Sequence, residues 1–340
     1  MARSNAVTLA QIADWHNLLE AAGRAARGAT AKACVVRFFD QLDKELVSLQ
    51  RDILSESVEV GQATRFLIYD PKPRLIFAPV FRERVLQHAL MAHVGPELNR
   101  SLVADTFACR VGKGTVAAVR RAQHHSRRFG WYGQIDIRRY FASIDHEVLL
   151  DSLNRRFRDR GVRELLRRIV TSHADQPGRG LPIGALCSQH FANFYLSPLD
   201  RAVMEQSPAT AMVRYMDDLV LWANSQADVQ CAIARATSVV REKLHLELRE
   251  SAIVNRSEHG LSFCGFRIFP GILRALPRRK RRFIETRRRW ERRYADGRIS
   301  GLQLQRGYDA AAGILAAVDS QAWRRRQLQV SPPQLTDDDL

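Results

Sequence analysis

Cysteine is scarce in this sequence and widely scattered. Cys34, Cys109, Cys187, Cys231 and Cys264 form no Cys-x-x-Cys pair. Neither a zinc cluster nor a disulfide framework is therefore indicated, and a reducing compartment fits. Long apolar runs are missing too. No stretch approaches the ~20 residues that a membrane span needs. Met1-Ala-Arg-Ser-Asn leads into a mixed polar segment, not the apolar core of a signal peptide. The expectation is a soluble cytoplasmic protein with no membrane partner. Internal repeats and low-complexity tracts are also lacking, which excludes solenoids and arrays. Acid is the scarcer charge: 36 Asp+Glu against 53 Lys+Arg leave a net charge of +17. A field of that sign attracts polyanions, nucleic acid first, although a merely soluble basic protein would share it.

What is present is enough to fold. The 340 residues are 46% hydrophobic, which suits two or three subdomains around a continuous core. Residues 8–54 carry Leu9, Ile12, Trp15, Leu18 and Leu19, then Leu42, Leu46 and Leu49, at helical spacing. Gly23 and Gly28 mark a turn between helices. Residues 65–79 read as a β-hairpin turning at Asp70-Pro71-Lys72-Pro73. Helices are predicted over about 81–94, 115–129, 145–158, 161–173, 186–204 and 225–244. Strands are predicted at 131–137, 245–249, 261–268 and 272–276. After Pro277 a run of arginines surrounds Phe283, Trp290 and Tyr294 in one helical stretch, so a boundary falls there. Ser331–Leu340, with two prolines and three aspartates, reads as a disordered acidic tail.

The chemistry concentrates in Val213-Arg-Tyr-Met-Asp-Asp-Leu-Val-Leu-Trp. Adjacent acids inside an apolar strand are costly to bury, and alternation sends neighbouring side chains to opposite faces. Both difficulties ease if Asp217 and Asp218 occupy a tight hairpin turn and a cation neutralises them. A third acid, Asp136, ends the strand Tyr132-Gly-Gln-Ile-Asp. Three carboxylates converging from neighbouring strands suit hard divalent ions, and a pair of such ions serves nucleotidyl transfer to a primer 3′-hydroxyl. A bare Asp-Asp pair is more often a polar turn; the apolar strands around this one and Asp136 upstream favour the metal reading.

Tyr215-Met216-Asp217-Asp218 resembles the Tyr-x-Asp-Asp signature of reverse transcriptases. Asp136-Ile-Arg-Arg-Tyr-Phe-Ala-Ser-Ile-Asp is similar to their first catalytic block. The resemblance implies an α+β right-hand polymerase fold that adds deoxynucleotides. It implies two Mg2+ ions, with Mn2+ as a substitute, on Asp136, Asp217 and Asp218, and Ile137 as a further metal contact. It makes Phe141, which alone reads as a core aromatic, a steric gate against ribose 2′-hydroxyls. Gly180-Leu-Pro-Ile-Gly-Ala-Leu-Cys-Ser-Gln-His-Phe-Ala-Asn resembles the block under the templating base. By that likeness Gln189 lies near the nascent pair, and Ile183, Gly184, Ser188 and Asn193 contact template or primer, as do Tyr215 and Met216. Gln189 and Asn193, four apart, are predicted to share a helix face. Lys72, Arg74 and Arg110 resemble the triphosphate grip. Gly260-Leu-Ser-Phe-Cys-Gly-Phe resembles the primer grip, with Phe263 and Gly265 at the primer end.

The implied domains are an N-terminal helical extension (1–62), fingers (63–130), palm (131–276, with about 155–182 shared with the fingers) and a basic thumb (277–330). In the thumb Arg287, Arg288 and Arg289 are expected to track phosphates; the alternative is a solvated helix face. Among reverse transcriptases the likeness is greatest to those of diversity-generating retroelements, on the Ile183-Gly184…Ser188-Gln189 form of the template block and the compact length. Intron enzymes usually carry a maturase extension after the thumb, and none is expected here. The sequence departs from the subgroup at Ala185, Cys187, Cys264 and Phe266, and Arg249-Glu250 stands where a lysine is common. The resemblance implies a bacterial or phage enzyme that uses an RNA template, a DNA or RNA primer and deoxynucleoside triphosphates. It also implies a small basic accessory protein. Retron, intron-derived and phage-defence enzymes, or an idle RNA-binding scaffold, are the alternatives.

Overall fold

The computed structural model describes residues 7–69, 73–249 and 252–332. Helices α1 (Leu9–Ile12), α2 (Trp15–Ala26), α3 (Ala33–Asp40) and α4 (Leu42–Leu54) come first, then strands β1 (Ala63–Tyr69) and β2 (Pro73–Pro79). Next are α5 (Phe81–Arg100), α6 (Thr115–Arg128), β3 (Trp131–Ile135), α7 (Tyr140–Ser143), α8 (His146–Arg156) and α9 (Arg160–Thr171). Then come α10 (Leu186–Tyr195), α11 (Ser197–Glu205), β4 (Ala211–Tyr215), β5 (Asp218–Ala223), α12 (Gln226–Glu242) and β6 (Ile253–Arg256). The chain continues through β7 (Leu261–Phe263), β8 (Phe266–Ile268), β9 (Leu273–Ala275), α13 (Pro277–Ala295), α14 (Gly301–Ala316) and α15 (Gln321–Val330). Among the described residues no helix is long and apolar enough to cross a membrane.

These elements form two compact units. The first comprises Met1–Ala104, Asp136–Gln206 and Ala234–Ser251; the second comprises Asp105–Ile135, Ser207–Ile233 and Ala252–Leu340. In the first unit α2 and α10 pack on α5. Small residues of α2 (Ala21, Ala22, Ala25) and Val85, Leu86, Ala89 and Leu90 of α5 are fully buried. Removing such apolar surface from water, about 25 cal/mol per Å², is the main force holding these helices together. β1 and β2 pair antiparallel from Ala63↔Pro79 to Tyr69↔Pro73. The expected turn residues Asp70, Pro71 and Lys72 lie outside the described residues.

The second unit holds a four-stranded antiparallel sheet in the order β4-β5-β3-β6 and a three-stranded one, β7-β8-β9. One core joins them. Tyr132, Val213, Val220 and Trp222 pack with Ala118, Val119 and Ala122 of α6, Phe263 and Phe266 of the small sheet, and Phe283 and Leu315 of the last helices.

Several sequence-based boundaries shift. Gly23 lies inside α2, not in a turn, and only Gly28 takes a left-handed φ of 73°. α5 runs past the expected end through Pro96, because Val94 and Leu98 are buried on either side. The helix expected over 186–204 breaks at Leu196, and α11 restarts with proline in its first turn, where no N–H is needed. Residues 245–249 form no strand but one antiparallel bridge, Leu248 to Ile137.

Candidate active site

The β4–β5 register ends on Tyr215↔Asp218, which leaves Met216 and Asp217 as a two-residue turn. Such hairpin turns call for left-handed backbone, and Met216 adopts it at φ 58°. For a side chain with a Cβ that costs about 1–2 kcal/mol. Arg214 offsets the strain: its Nη1 donates to the Met216 carbonyl at 2.9 Å from a fully buried side chain. The backbone of Arg214 is itself fixed, with its N–H on the Asp105 carbonyl at 3.0 Å and its carbonyl on the Phe107 N–H at 2.9 Å. Asp105 is anchored in turn by Arg121 at 2.8 and 3.1 Å. Burial would raise the Asp105 carboxyl, but the neighbouring His125 ring and the Arg121 guanidinium outweigh it and hold the carboxyl below its ordinary value.

Asp217 and Asp218 are half-buried. Gln134 Nε2 donates to Asp218 Oδ1 at 2.8 Å and also to the Ser262 carbonyl at 3.1 Å. This amide thus ties an acidic side chain to the strand before the Cys264-Gly265 turn. Sequence reasoning misses it, although it is the polar interruption of an apolar strand and, by alternation, shares a face with Asp136. At the turn, Gly265 has φ 78°, and the Arg279 side chain fills the space a Cβ would need. Arg279 donates to the Cys264 carbonyl at 3.1 and 2.6 Å and lies 4.4 Å from the Phe266 ring centroid. Burial pushes the Cys264 thiol up, the Asp218 carboxylate adds to that, and Arg279 opposes it. Phe263 is 1% exposed, so its ring is core and only its backbone is available to a primer.

Asp136 directly follows Ile135, the register partner of Leu219, which directly follows Asp218. The Asp136 Oδ2 pairs with Arg249 Nη1 at 2.8 Å. Ile137 has a buried apolar side chain, so only its carbonyl could meet a metal. Among the described residues no three His, Cys, Asp or Glu side chains are grouped to hold a metal ion. The donor chemistry of the aspartates nonetheless fits a hard divalent ion; one oxygen of Asp136 is engaged by a guanidinium.

The remaining predicted contacts divide. Phe141 is half-buried on α7, and its carbonyl accepts from the Leu181 N–H at 2.9 Å. Arg74 is exposed on β2, whereas Lys72 lies outside the described residues. Arg110 donates to the Thr106 carbonyl at 2.9 Å. Tyr215 is half-buried, with its hydroxyl 3.2 Å from Thr115 Oγ1. Gln189 is exposed at the start of α10, and the Ile183 carbonyl accepts from the Phe77 N–H at 2.8 Å.

Three expectations need correction. Ser188 and Asn193 are 3% and 2% exposed, so they are interior polar residues and not template contacts. Asn193 therefore does not share an open face with Gln189, the one exposed residue of α10. Arg287 is 1% exposed. It donates to the Ser331 carbonyl at 2.7 Å and pairs with Glu291 at 3.2 Å, so it ties α13 to the end of α15 instead of facing phosphate. Arg288 and Arg289 remain exposed.

The chain has relatives among known proteins. The chain is 23% identical over 167 residues to the COX1/OXI3 intron 2 protein of Saccharomyces cerevisiae, covering 46% of this chain and 19% of that protein. It is 23% identical over 276 residues to protein YkfC of Escherichia coli, covering 67% and 72%. The chain thus spans about a fifth of the yeast protein and most of the bacterial one. Telomerase of Candida tropicalis, solved in complex with a fragment of telomeric RNA, superposes with a TM-score of 0.51 at 10% identity, over 84% of this chain and 58% of that one. The mixed helix-and-sheet architecture is accordingly the right-hand polymerase fold. The signature of the reverse transcriptase (RNA-dependent DNA polymerase) family matches residues 70–268, more than half of the sequence, and the chain belongs to that family.

Proposed function

We propose that the chain is an RNA-directed DNA polymerase that extends a primer 3′-hydroxyl with deoxynucleotides, with Asp136, Asp217 and Asp218 as its catalytic carboxylates. The observation that carries this reading is the sheet register, which sets Asp217 and Asp218 at a hairpin tip and Asp136 one residue beyond the adjoining strand. Two magnesium ions (manganese as substitute) held by these carboxylates and the Ile137 carbonyl would supply hydroxyl activation and charge neutralisation. Gln134 orients Asp218, and Arg214 fixes the turn that presents Asp217. Lys72, Arg74 and Arg110 hold the triphosphate, where cations offset charge building on the leaving group. Phe141 excludes the ribose 2′-hydroxyl. Gln189, Ile183, Gly184, Tyr215 and Met216 border the nascent pair, and the Cys264-Gly265 backbone meets the primer. The test is primer extension on an RNA template with Mg2+. Incorporation of deoxynucleotides is expected, and its absence from folded protein supplied with template, primer and metal rejects the reading.

The finer role we propose is copying the template-repeat RNA of a diversity-generating retroelement, with errors concentrated at template adenines and a small basic accessory protein as partner. The Ile183-Gly184…Ser188-Gln189 form of the template block supports it. The partial likeness to a yeast intron protein favours an intron-derived enzyme as the second reading. Sequencing cDNA made by the purified enzyme separates them: substitutions clustered at adenines support the first, and uniform fidelity across template bases rejects it.

A further inference from the structure

We propose that Arg249 is a latch on Asp136 that competes with divalent cations for its carboxylate and so sets the metal concentration the enzyme requires. This rests on the polymerase reading above and concerns a residue to which that reading gives no part.

The contact is delivered by backbone pairing. Ile137 bridges Leu248 in antiparallel fashion. On either side the main chain closes the pairing: the Arg138 N–H donates to the Glu247 carbonyl and the Arg249 N–H to the Asp136 carbonyl, both at 2.8 Å. The register therefore sets Arg249 directly opposite Asp136, and Glu247 opposite Arg138. Opposite charges face each other at both places, at 2.8 Å for Asp136–Arg249 and 3.3 Å for Arg138–Glu247. Directly opposed residues are the unit of cross-strand stabilisation, and like charges there would repel. The backbone bridge thus brings each pair of opposite charges face to face, and the guanidinium has only to reach across it to Asp136.

The consequence for a cation follows from Coulomb's law. A divalent ion approaching the same carboxylate must either displace the guanidinium or bind beside a fixed positive charge, and either lowers its affinity. The latch stays reversible because it is open to water: the side chains are 63% and 36% exposed for Arg249 and Asp136. Exposed pairs of this kind are weak, so an ion that brings further ligands can open this one.

The test is Mn2+ binding to the full-length protein without nucleic acid, followed by the paramagnetic resonance of free Mn2+. Arg249→Ala is expected to tighten Mn2+ binding about five- to tenfold. Arg249→Lys, which keeps the charge, should tighten it less. In protein that already carries Asp136→Asn, Arg249→Ala should leave the Mn2+ affinity unchanged. Unchanged or weaker binding when Arg249→Ala is made alone overturns the latch, as does a gain that persists with Asp136→Asn. Failure of the polymerase reading is distinguishable, because it appears as wild-type protein that does not extend primers, whatever the Mn2+ titration gives.

Discussion

Replacing Gly184 with alanine separates two costs that the structure lets one estimate. Gly184 sits at φ 117°, and a Cβ there would lie 2.6 Å from the Phe77 carbonyl oxygen and 2.8 Å from Ile76 Cγ2. The first obstacle is backbone on β2. It cannot slide away cheaply, because the Phe77 N–H is bonded to the Ile183 carbonyl at 2.8 Å. Gly178 supplies the control: it has φ 71° and nothing within 4 Å of the place a Cβ would take. Gly178→Ala should therefore cost only the left-handed penalty, about 1 kcal/mol. Gly184→Ala should cost about 2–4 kcal/mol, the excess being the clash with the hairpin. For a chain of this size that lowers Tm by about 3–6 °C. Differential scanning calorimetry and urea unfolding of the two variants measure the difference. Equal destabilisation by both would refute the docking of the Ile183-Gly184 segment against β2.

Removing the Gln134 amide with Gln134→Leu should take away one hold on Asp218 and slow single-nucleotide incorporation about five- to thirtyfold, with a smaller change in stability. Stopped-flow incorporation checks it, and an unchanged rate removes the positioning role. Arg287→Met should destabilise the α13–α15 packing by about 1–3 kcal/mol and leave the salt slope of template–primer binding unchanged. Arg288→Gln plus Arg289→Gln should flatten that slope with little loss of stability. Phe141→Ala is expected to admit ribonucleotides in competition assays, and unchanged sugar selectivity counts against the gate. Asp105 has a carboxyl held below its ordinary value of 3.8. A depressed pKa stabilises the fold above that value and loses the contribution as pH falls through the folded one. Asp105→Asn should cost about 1–2 kcal/mol at pH 7, and the gap to wild type should close below about pH 4 in urea titrations.

Periodicity exposes much of this fold, because burial imprints it. The β4–β5 hairpin and its acidic tip are legible from two apolar runs around Asp217-Asp218, and α6, α8 and α12 from helical spacing. Illegible features depend on partners distant in sequence. Ser188 and Asn193 look like polar site residues until α10 is seen to bury them. Arg287 has the same side chain as Arg288, and only the docking of α15 turns it inward. Gln134 and Arg214 acquire their roles from a carboxylate and a turn carbonyl that local composition does not reveal. Glycine at 184 suggests close approach to a base, and only the fold shows that β2 also leaves no space for a Cβ there.

Single-nucleotide incorporation by Asp136→Asn, Asp217→Asn and Asp218→Asn, on an RNA template with Mg2+, tests the three-carboxylate site most directly. Each variant, with wild-type thermal unfolding, is expected to lose at least about a hundredfold in rate. A folded variant that keeps more than about a tenth of the wild-type rate would contradict the assignment of its aspartate to the reacting centre.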